Sequence, residues 1–249
     1  MSAFCPEEPK KLDIVSHLEE FRKRILISLG VLAGASIFTF SRGDSILSIV
    51  TKPVLTLVPE LIYIGPAEAF TAYLTTALLS GFILGSPFFL YQAWAFIAPA
   101  ISRGSRRRAA AWFLSAMLLF IAGIAFSYYL AIPGALKFLL NFGAGVATPR
   151  ITLGRYISFF AALILAGGVV FEIPVAMGLL TDTGLINTRT LRRKRPHAML
   201  GILIFAAVIT PTQDIVNMLM FALPMALLYE AGLLLARGIE RGKRSGNAA

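Results

Sequence analysis

The carboxylate in the most unusual setting is Glu172. It is the only charged residue in the apolar run 156–180. A charged side chain near the middle of a bilayer costs several kcal/mol unless it is neutral, paired or in contact with water. Gly167 and Gly168 precede Glu172 and Pro174 follows it, so we expect a weakened helix and a carboxylate that lines a water-filled cavity. The alternative is structural: a protonated Glu172 that forms a hydrogen bond to a neighbouring helix.

A second group of carboxylates, Glu19 and Glu20, lies in the segment 11–24. Apolar residues recur there every three or four positions, which predicts an amphipathic helix. On such a helix Glu19 lies four residues before Lys23, and Glu20 lies four residues before Arg24, so both can form ion pairs. The spacing by itself favours an exposed, solvated surface.

Patterns typical of enzymes, metal sites and cofactor sites are missing from the sequence. His17 and His197 stand at no metal-ligand spacing from another His, Cys or carboxylate. The single cysteine, Cys5, cannot form an internal disulfide. We find no nucleophile–base motif, Gly-rich phosphate loop or nucleotide motif. We therefore expect no enzymatic activity, no metal and no cofactor.

Aromatic residues are concentrated shortly before Pro99: Phe88, Phe89, Tyr91, Trp94 and Phe96. Such a cluster is typical of the belt at a membrane–water interface. It is equally compatible with a rigid apolar platform at the membrane surface.

The composition places the chain in a membrane. Hydrophobic residues make up 57% and charged residues 14%, which is outside the range of soluble globular proteins. A run such as 156–180 exceeds the roughly 20 apolar residues that a bilayer core requires. The formal net charge is +10, but the basic residues lie beside apolar runs with few aromatic residues between them. Membrane topology and anionic lipid explain that pattern better than nucleic acid does.

Six segments are expected to cross the membrane: 25–40, 70–96, 109–132, 156–180, 197–210 and 215–236. Gly85 and Pro87 are expected to break the second segment, and Pro133 to end the third. The fifth segment contains about 14 residues, fewer than a straight crossing needs. It is either re-entrant or crosses a locally thinned bilayer. The distribution of charge favours a complete crossing.

Most of the 23 Lys and Arg residues fall in four segments: 1–24, 103–108, 189–195 and 237–249. The others are Arg42, Lys52, Lys137, Arg150 and Arg155. Because cytoplasmic loops carry an excess of Lys and Arg, this bias predicts six spans with both termini in the cytoplasm.

Together these observations predict an all-α integral membrane protein with a single membrane domain over 1–249. A cytoplasmic amphipathic segment, 1–24, leads into a six-helix bundle, 25–236, and a cytoplasmic tail, 237–249. The longest external segment is 41–69. The sequence contains no internal repeat of the kind found in many secondary transporters.

Several strings resemble the TatC family, the multispanning receptor subunits of the twin-arginine protein translocase. They occur in the family's order, between about residues 12 and 237: HLEEFRKRIL (17–26), LYQAWAFIAPA (90–100), FEIPVAM (171–177), LRRKRPHAMLGI (191–202), TPTQD (210–214) and ALPMALLYEAGLLLAR (222–237).

The resemblance implies a glove-like fold of six helices, with a concave face and short fifth and sixth helices. It implies a receptor for twin-arginine signal peptides at the cytoplasmic face of a bacterial or archaeal cytoplasmic membrane. The single-span partners would be TatA- and TatB-type proteins, and the proton-motive force would drive export of folded proteins. The receptor complex would contain several copies of this chain.

The resemblance also assigns residues to sites. It places signal-peptide binding at Glu19, Glu20, Arg22, Phe96, Pro99, Arg103, Ser105 and Arg107. It places Glu172 in the intramembrane cavity. It assigns the external surface that docks the single-span partners to Pro53, Thr210 and Asp214.

The first basic loop departs from the family pattern. The family usually has an acidic residue in this loop, and the matching residue here is Ser105, between Arg103 and Arg106. A basic loop without a carboxylate repels an arginine pair, whereas carboxylates select guanidinium groups through charge-assisted hydrogen bonds. Glu19, beside Glu20, offers a replacement for the missing charge.

Two rival functions remain. A proton-coupled secondary transporter or lipid flippase would use Glu172 as its coupling site. It would require internal repeats and a second intramembrane ionisable group, for which only Asp214 and Glu230 are candidates. In a purely structural assembly scaffold, Glu172 would be replaceable.

Overall fold

The computed structural model describes residues 10–97, 106–142, 148–209 and 215–246. Within these ranges the chain is helical apart from short connections, and its only β-type pairing is one isolated bridge between Ile62 and Thr152. The helices are α1 (Lys10–Phe40), α2 (Gly43–Leu55), α3 (Pro66–Ile97), α4 (Arg106–Phe126), α5 (Ile132–Phe142), α6 (Leu153–Phe171), α7 (Ile173–Asp182), α8 (Thr188–Arg193), α9 (Arg195–Ile209) and α10 (Ile215–Gly246). One π-helical turn, Ser127–Ala131, joins α4 to α5.

The described helices confirm an all-α, multi-pass membrane protein. Among the described residues, five helical stretches are long and apolar enough to cross a membrane: Ser16–Phe40, Pro66–Phe96, Ala110–Asn141, Leu153–Asp182 and Phe221–Lys243. A sixth apolar stretch, Arg195–Val208, is shorter. It corresponds to the segment that the sequence predicts to be short.

The predicted break in the second span is wrong, because α3 continues through Gly85 and Pro87. Proline lacks an N–H and leaves the carbonyl four residues earlier without its helical partner. Here that carbonyl belongs to Ile83, and the hydroxyl of Ser86 donates to it at 2.7 Å. The hydrogen bond replaces the missing one, so the helix continues through the apolar region.

Pro133 does not end the third span either. The N–H of Ile132 bonds to the carbonyl of Ser127, five residues back rather than four. This π-helical turn therefore contains one residue more than an α-helical turn. Pro133 then occupies the first turn of α5, where a missing N–H costs little. The helical path therefore continues to Phe142.

The segment expected to be the longest external loop contains a helix, α2, with Asp44 in its first turn. Its inward face consists of Val50, Thr51, Pro53 and Val54, all buried. The carbonyl that Pro53 leaves free, that of Ile49, accepts a hydrogen bond from the hydroxyl of Tyr128 at 2.9 Å. The polar composition of this segment hid the helix from the sequence interpretation.

Two predicted boundaries also change. The amphipathic lead-in and the first span form one continuous helix, α1. The expectation of a short sixth helix is wrong, because α10 contains 32 residues and extends through the predicted tail to Gly246.

Gly123 and Gly167 allow α4 and α6 to pack backbone against backbone, because a Cβ on either glycine would collide with the facing helix. A Cβ on Gly168 would meet the ring of Phe120 at 2.7 Å. Helix α6 continues unbroken through both glycines of the pair. The glycines that we interpreted as weakening the helix near Glu172 thus serve close helix packing.

Candidate functional site

Glu20 lies on α1, at the end where α1 packs against the last turns of α3. Its Oε1 contacts Nη2 of Arg24 at 2.6 Å, as the sequence spacing predicts. Arg24 also donates from Nη1 to Oε1 of Gln92 at 2.9 Å and from Nη2 to the carbonyl of Ala95 at 3.3 Å. Arg24 therefore fixes the position of Glu20 against α3.

Phe96 lies beside Glu20 in space. Its ring stacks on the imidazole of His17 with centroids 4.3 Å apart, and it contacts Phe21 at 5.2 Å. Nδ1 of His17 is 3.9 Å from Oε2 of Glu20. Two residues assigned to one site by the resemblance, Glu20 and Phe96, are thus brought together through His17.

The other assigned residues of this helix have no such contacts. Glu19 and Arg22 are exposed on α1. Among the described side chains, Glu19 makes no ion pair with Lys23, so that predicted pair is not formed. Sequence reasoning found the Glu20–Arg24 spacing but missed the bonds from Arg24 to α3, because no local pattern reveals a contact 68 residues away.

An apolar cavity of about 420 Å³ begins next to Arg24, between α1 and α3. The polar residues of its lining are Arg24, Ser28 and Gln92. Its apolar lining includes Phe21, Ile25, Leu29, Leu32, Phe82, Phe89, Ala93 and Phe96. The carboxylate of Glu20, held by Arg24, thus lies beside one end of this apolar groove.

Glu172 lies at the one-residue junction between α6 and α7. Its N–H bonds to the carbonyl of Val169 at 3.1 Å, and its own carbonyl accepts from the N–H of Ala176 at 2.9 Å. Pro174 follows in the first turn of α7, where its missing N–H is tolerated. The predicted weakening of the helix at Glu172 is confirmed, and Pro174 rather than the glycines accounts for it.

The side chain of Glu172 is half-buried and lines a second cavity, of about 290 Å³, between α3, α4 and α7. Oε1 of Glu172 is buried and has no hydrogen-bond partner among the described atoms. Trp94 and Phe113 form part of the apolar lining, and Thr183 is its other polar member. Ala93 lines both cavities, so α3 separates them.

Several assigned residues lie outside the described ranges: Pro99, Arg103, Ser105, Thr210 and Asp214. Arg107 belongs to the first turn of α4, but its side chain is not described. Pro53 is described and buried inside α2, facing the core rather than the surface. Among the described residues, no group of His, Cys, Asp and Glu could hold a metal ion.

The family model for the Sec-independent protein translocase protein TatC matches residues 16–224 of the sequence. This chain belongs to the TatC family. The matched range includes Glu20, Phe96 and Glu172, and both cavities lie within it. The family consists of translocase proteins rather than enzymes.

Individual TatC proteins match along nearly the whole chain. The protein from Carboxydothermus hydrogenoformans is 36% identical over 96% of this chain and 98% of its own length. The chloroplastic protein of Arabidopsis thaliana is 32% identical over 90% of this chain and 66% of its own. The crystal structure of a twin arginine translocase receptor, TatC, superposes with a TM-score of 0.81 at 34% identity, covering 90% of this chain and 99% of that one.

Proposed function

We propose that this protein is the receptor subunit of a twin-arginine translocase. It binds twin-arginine signal peptides at its cytoplasmic face. With TatA- and TatB-type partners, and in a complex that contains several copies of this chain, it uses the proton-motive force to export folded proteins. The observation that carries the proposal is the position of Glu20 and Phe96 at the end of the apolar groove between α1 and α3.

The site offers a carboxylate for the arginines of such a peptide and an apolar groove for its apolar stretch. Oε1 of Glu20 already contacts Arg24, whereas the contact of Oε2 among the described residues is with Nδ1 of His17 at 3.9 Å. An incoming guanidinium group can bind Oε2 through charge-assisted hydrogen bonds. The apolar stretch of a signal peptide would then lie along the groove, where burial of apolar surface is favourable.

The proposed topology has six crossings with both termini in the cytoplasm of a bacterium or archaeon. The five long spans and the shorter stretch Arg195–Val208 supply the six passes, and the positive-inside bias supports the orientation. We place the docking of the single-span partners at Thr210 and Asp214. Pro53, which is buried, would contribute by fixing the shape of α2.

The rival function, a proton-coupled transporter or flippase, has weaker support. Such a mechanism needs ionisable groups that exchange protons within the membrane. The described residues that line the Glu172 cavity include no second ionisable side chain.

Photo-crosslinking tests the proposed function directly. A twin-arginine signal peptide with a photoreactive residue in its apolar stretch is expected to crosslink to α1 and α3 residues such as Phe21 and Phe89. The matched control peptide carries two lysines in place of the arginines, because lysine cannot form the bidentate contact. Equal crosslinking of the two peptides would contradict a twin-arginine receptor.

A further inference from the structure

The short helix α8 has a fixed orientation. Oδ1 of Asn187 caps it by accepting the N–H of Thr190 at 2.8 Å. The hydroxyl of Tyr229 in α10 donates to the carbonyl of Leu191 at 2.9 Å. Thr188 is buried and Leu191 packs against the core, so these two residues define the inward face. At helical spacing, Arg189 and Arg193 lie together on the face turned away from these two residues, and Arg192, which is also exposed, lies at its edge.

The acidic residues near α8 are engaged elsewhere. Oδ1 of Asp182 lies 3.3 Å from Nζ of Lys243, and Oε1 of Glu240 accepts the N–H of Thr188 at 2.6 Å. Oε1 of Glu230 lies 2.7 Å from Nη2 of Arg195, although it accepts no hydrogen bond of regular geometry, so this contact is electrostatic. None of these carboxylates neutralises the outward face of α8.

Among the described residues, the basic side chains of α8 are therefore left without counterions. Arg189, Arg192, Arg193 and Lys194 are all exposed. In the part of the chain that the structure describes, none of them forms an ion pair. Four cations within six residues repel one another, so an anion that binds between them is favoured.

Exposed apolar residues follow this basic segment directly. In α9, Leu200 is 58% exposed and Ile204 is 57% exposed. A helix rises 1.5 Å per residue, so Leu200 lies about 9 Å beyond Lys194 along the axis of α9. The headgroup layer of one leaflet is about 5–8 Å thick, so the cations match the headgroups and Leu200 matches the start of the acyl chains.

We propose that the outward face of α8 binds the phosphate group of an anionic phospholipid whose acyl chain lies along Leu200 and Ile204. Basic pockets at the end of membrane helices are suited to such headgroups. Arginine provides bidentate contacts to phosphate oxygens. A soluble acidic peptide would satisfy the arginines but not the exposed apolar residues that follow in α9, so the succession of basic and apolar residues along the chain favours a lipid. This site is independent of signal-peptide binding.

A fluorescence-quenching experiment tests the lipid site. The full chain carries Cys5→Ser and Leu200→Cys with a bimane label on the new cysteine, and is placed in phosphatidylcholine nanodiscs with a minor fraction of brominated lipid. Brominated phosphatidylglycerol is expected to quench the label more strongly than brominated phosphatidylcholine. Replacing Arg189, Arg192 and Arg193 by Gln should lower the preference for phosphatidylglycerol over phosphatidylcholine by about fivefold for each charge removed at low salt.

The matched control removes three exposed cations from the other end of the protein: Lys137→Gln, Arg150→Gln and Arg155→Gln. This control changes the net charge by the same amount as the α8 variant. It should leave the stronger quenching by brominated phosphatidylglycerol intact, which would exclude a general charge effect. Equal quenching by the two lipids would overturn the proposal. Displacement of the phosphatidylglycerol by soluble glycerol phosphate or by an acidic peptide would also overturn it, in favour of a soluble anion or a protein partner.

Discussion

Oε1 of Glu68 in α3 accepts a hydrogen bond from the N–H of Gly154 in α6 at 2.8 Å. Oε2 of the same carboxylate accepts the N–H of Ile64 at 2.8 Å. Gly154 is the second residue of α6, so the bond satisfies one of the free N–H groups at the start of that helix. Beside it, Ile62 exchanges backbone bonds with Ile151 and Leu153 at 3.1 and 2.8 Å. One carboxylate thus joins two connecting segments that are far apart in sequence.

Glu68→Ala is expected to lower the melting temperature of the detergent-solubilised protein, because two N–H groups lose a shared acceptor. Glu68→Gln should have a smaller effect, since its amide oxygen can still accept one of the two bonds. Glu60→Ala, which changes an exposed carboxylate in the connection between α2 and α3, serves as the control. A melting temperature unchanged in Glu68→Ala would show that the connection does not contribute to stability.

The sequence was sufficient to predict the five long apolar helices and insufficient to predict what proline does inside them. Whether Pro53 or Pro87 breaks a helix depends on whether another group bonds the carbonyl that it leaves free. For Pro87 that donor, Ser86, is adjacent in sequence and could have been recognised. For Pro53 the donor is Tyr128, 79 residues away from the carbonyl of Ile49, and only the tertiary structure reveals it.

The candidate site, too, could be predicted from the sequence only in part. Helical spacing predicted the pair of Glu20 with Arg24, and the isolated carboxylate in an apolar run singled out Glu172. The proximity of Glu20 to Phe96 and the role of Gln92 depend on how α1 packs against α3. No periodic pattern carries that information, because lipid-facing and helix-facing residues are equally apolar.

Labelling of single cysteines from either side of the membrane tests the topology. In a Cys5→Ser background, cysteines at positions 105 and 192 are expected to react only from the cytoplasmic side, because both lie in strongly basic segments of the sequence. Tyr63→Cys, in the connection between α2 and α3, is expected to react from the opposite side. External labelling at position 105 or 192 would refute the proposed orientation.

Glu20→Ala is expected to weaken binding of a twin-arginine signal peptide while the protein still inserts and folds. The lost Glu20–Arg24 pair is partly exposed, so its removal should cost at most about 1 kcal/mol of stability. Glu60→Ala is the matched control, because Glu60 is an exposed carboxylate in the connection between α2 and α3, outside the residues assigned to signal-peptide binding. Peptide crosslinking that is unchanged in Glu20→Ala would reduce Glu20 to an ordinary surface charge.

Glu172→Leu is expected to reduce transport of a folded reporter while signal-peptide binding is retained, because the apolar groove that we propose for the signal peptide lies on the other side of α3. Glu172→Gln should retain more transport, since it preserves a polar group in the cavity. Thr183→Val, which removes the other polar group of the lining, is the control. Normal transport in Glu172→Leu would favour the scaffold interpretation, in which this carboxylate is replaceable.

Ser105 occupies the position at which the resemblance to the family implies an acidic residue. If the twin-arginine site works here as proposed, Ser105→Glu supplies a second carboxylate and should tighten signal-peptide binding. A charge-assisted hydrogen bond contributes about 1.5–3 kcal/mol in favourable settings. Exposure to solvent should reduce the gain to about 1 kcal/mol, or roughly fivefold in affinity. A titration of labelled signal peptide against both proteins measures it.

Because position 105 has basic neighbours, the titration needs an uncharged control variant and a comparison of low and high salt. Arg103 and Arg106 compete with the peptide's arginines for the new carboxylate, so Ser105→Gln serves as the uncharged control of similar size. Raising the salt concentration should erase most of the gain from Ser105→Glu, because exposed charges are screened within about 10 Å at 0.1 M salt. The gain must therefore appear at low salt and be absent in Ser105→Gln. Its absence at low salt would mean that Glu19 and Glu20 already supply the charge that selects the arginine pair.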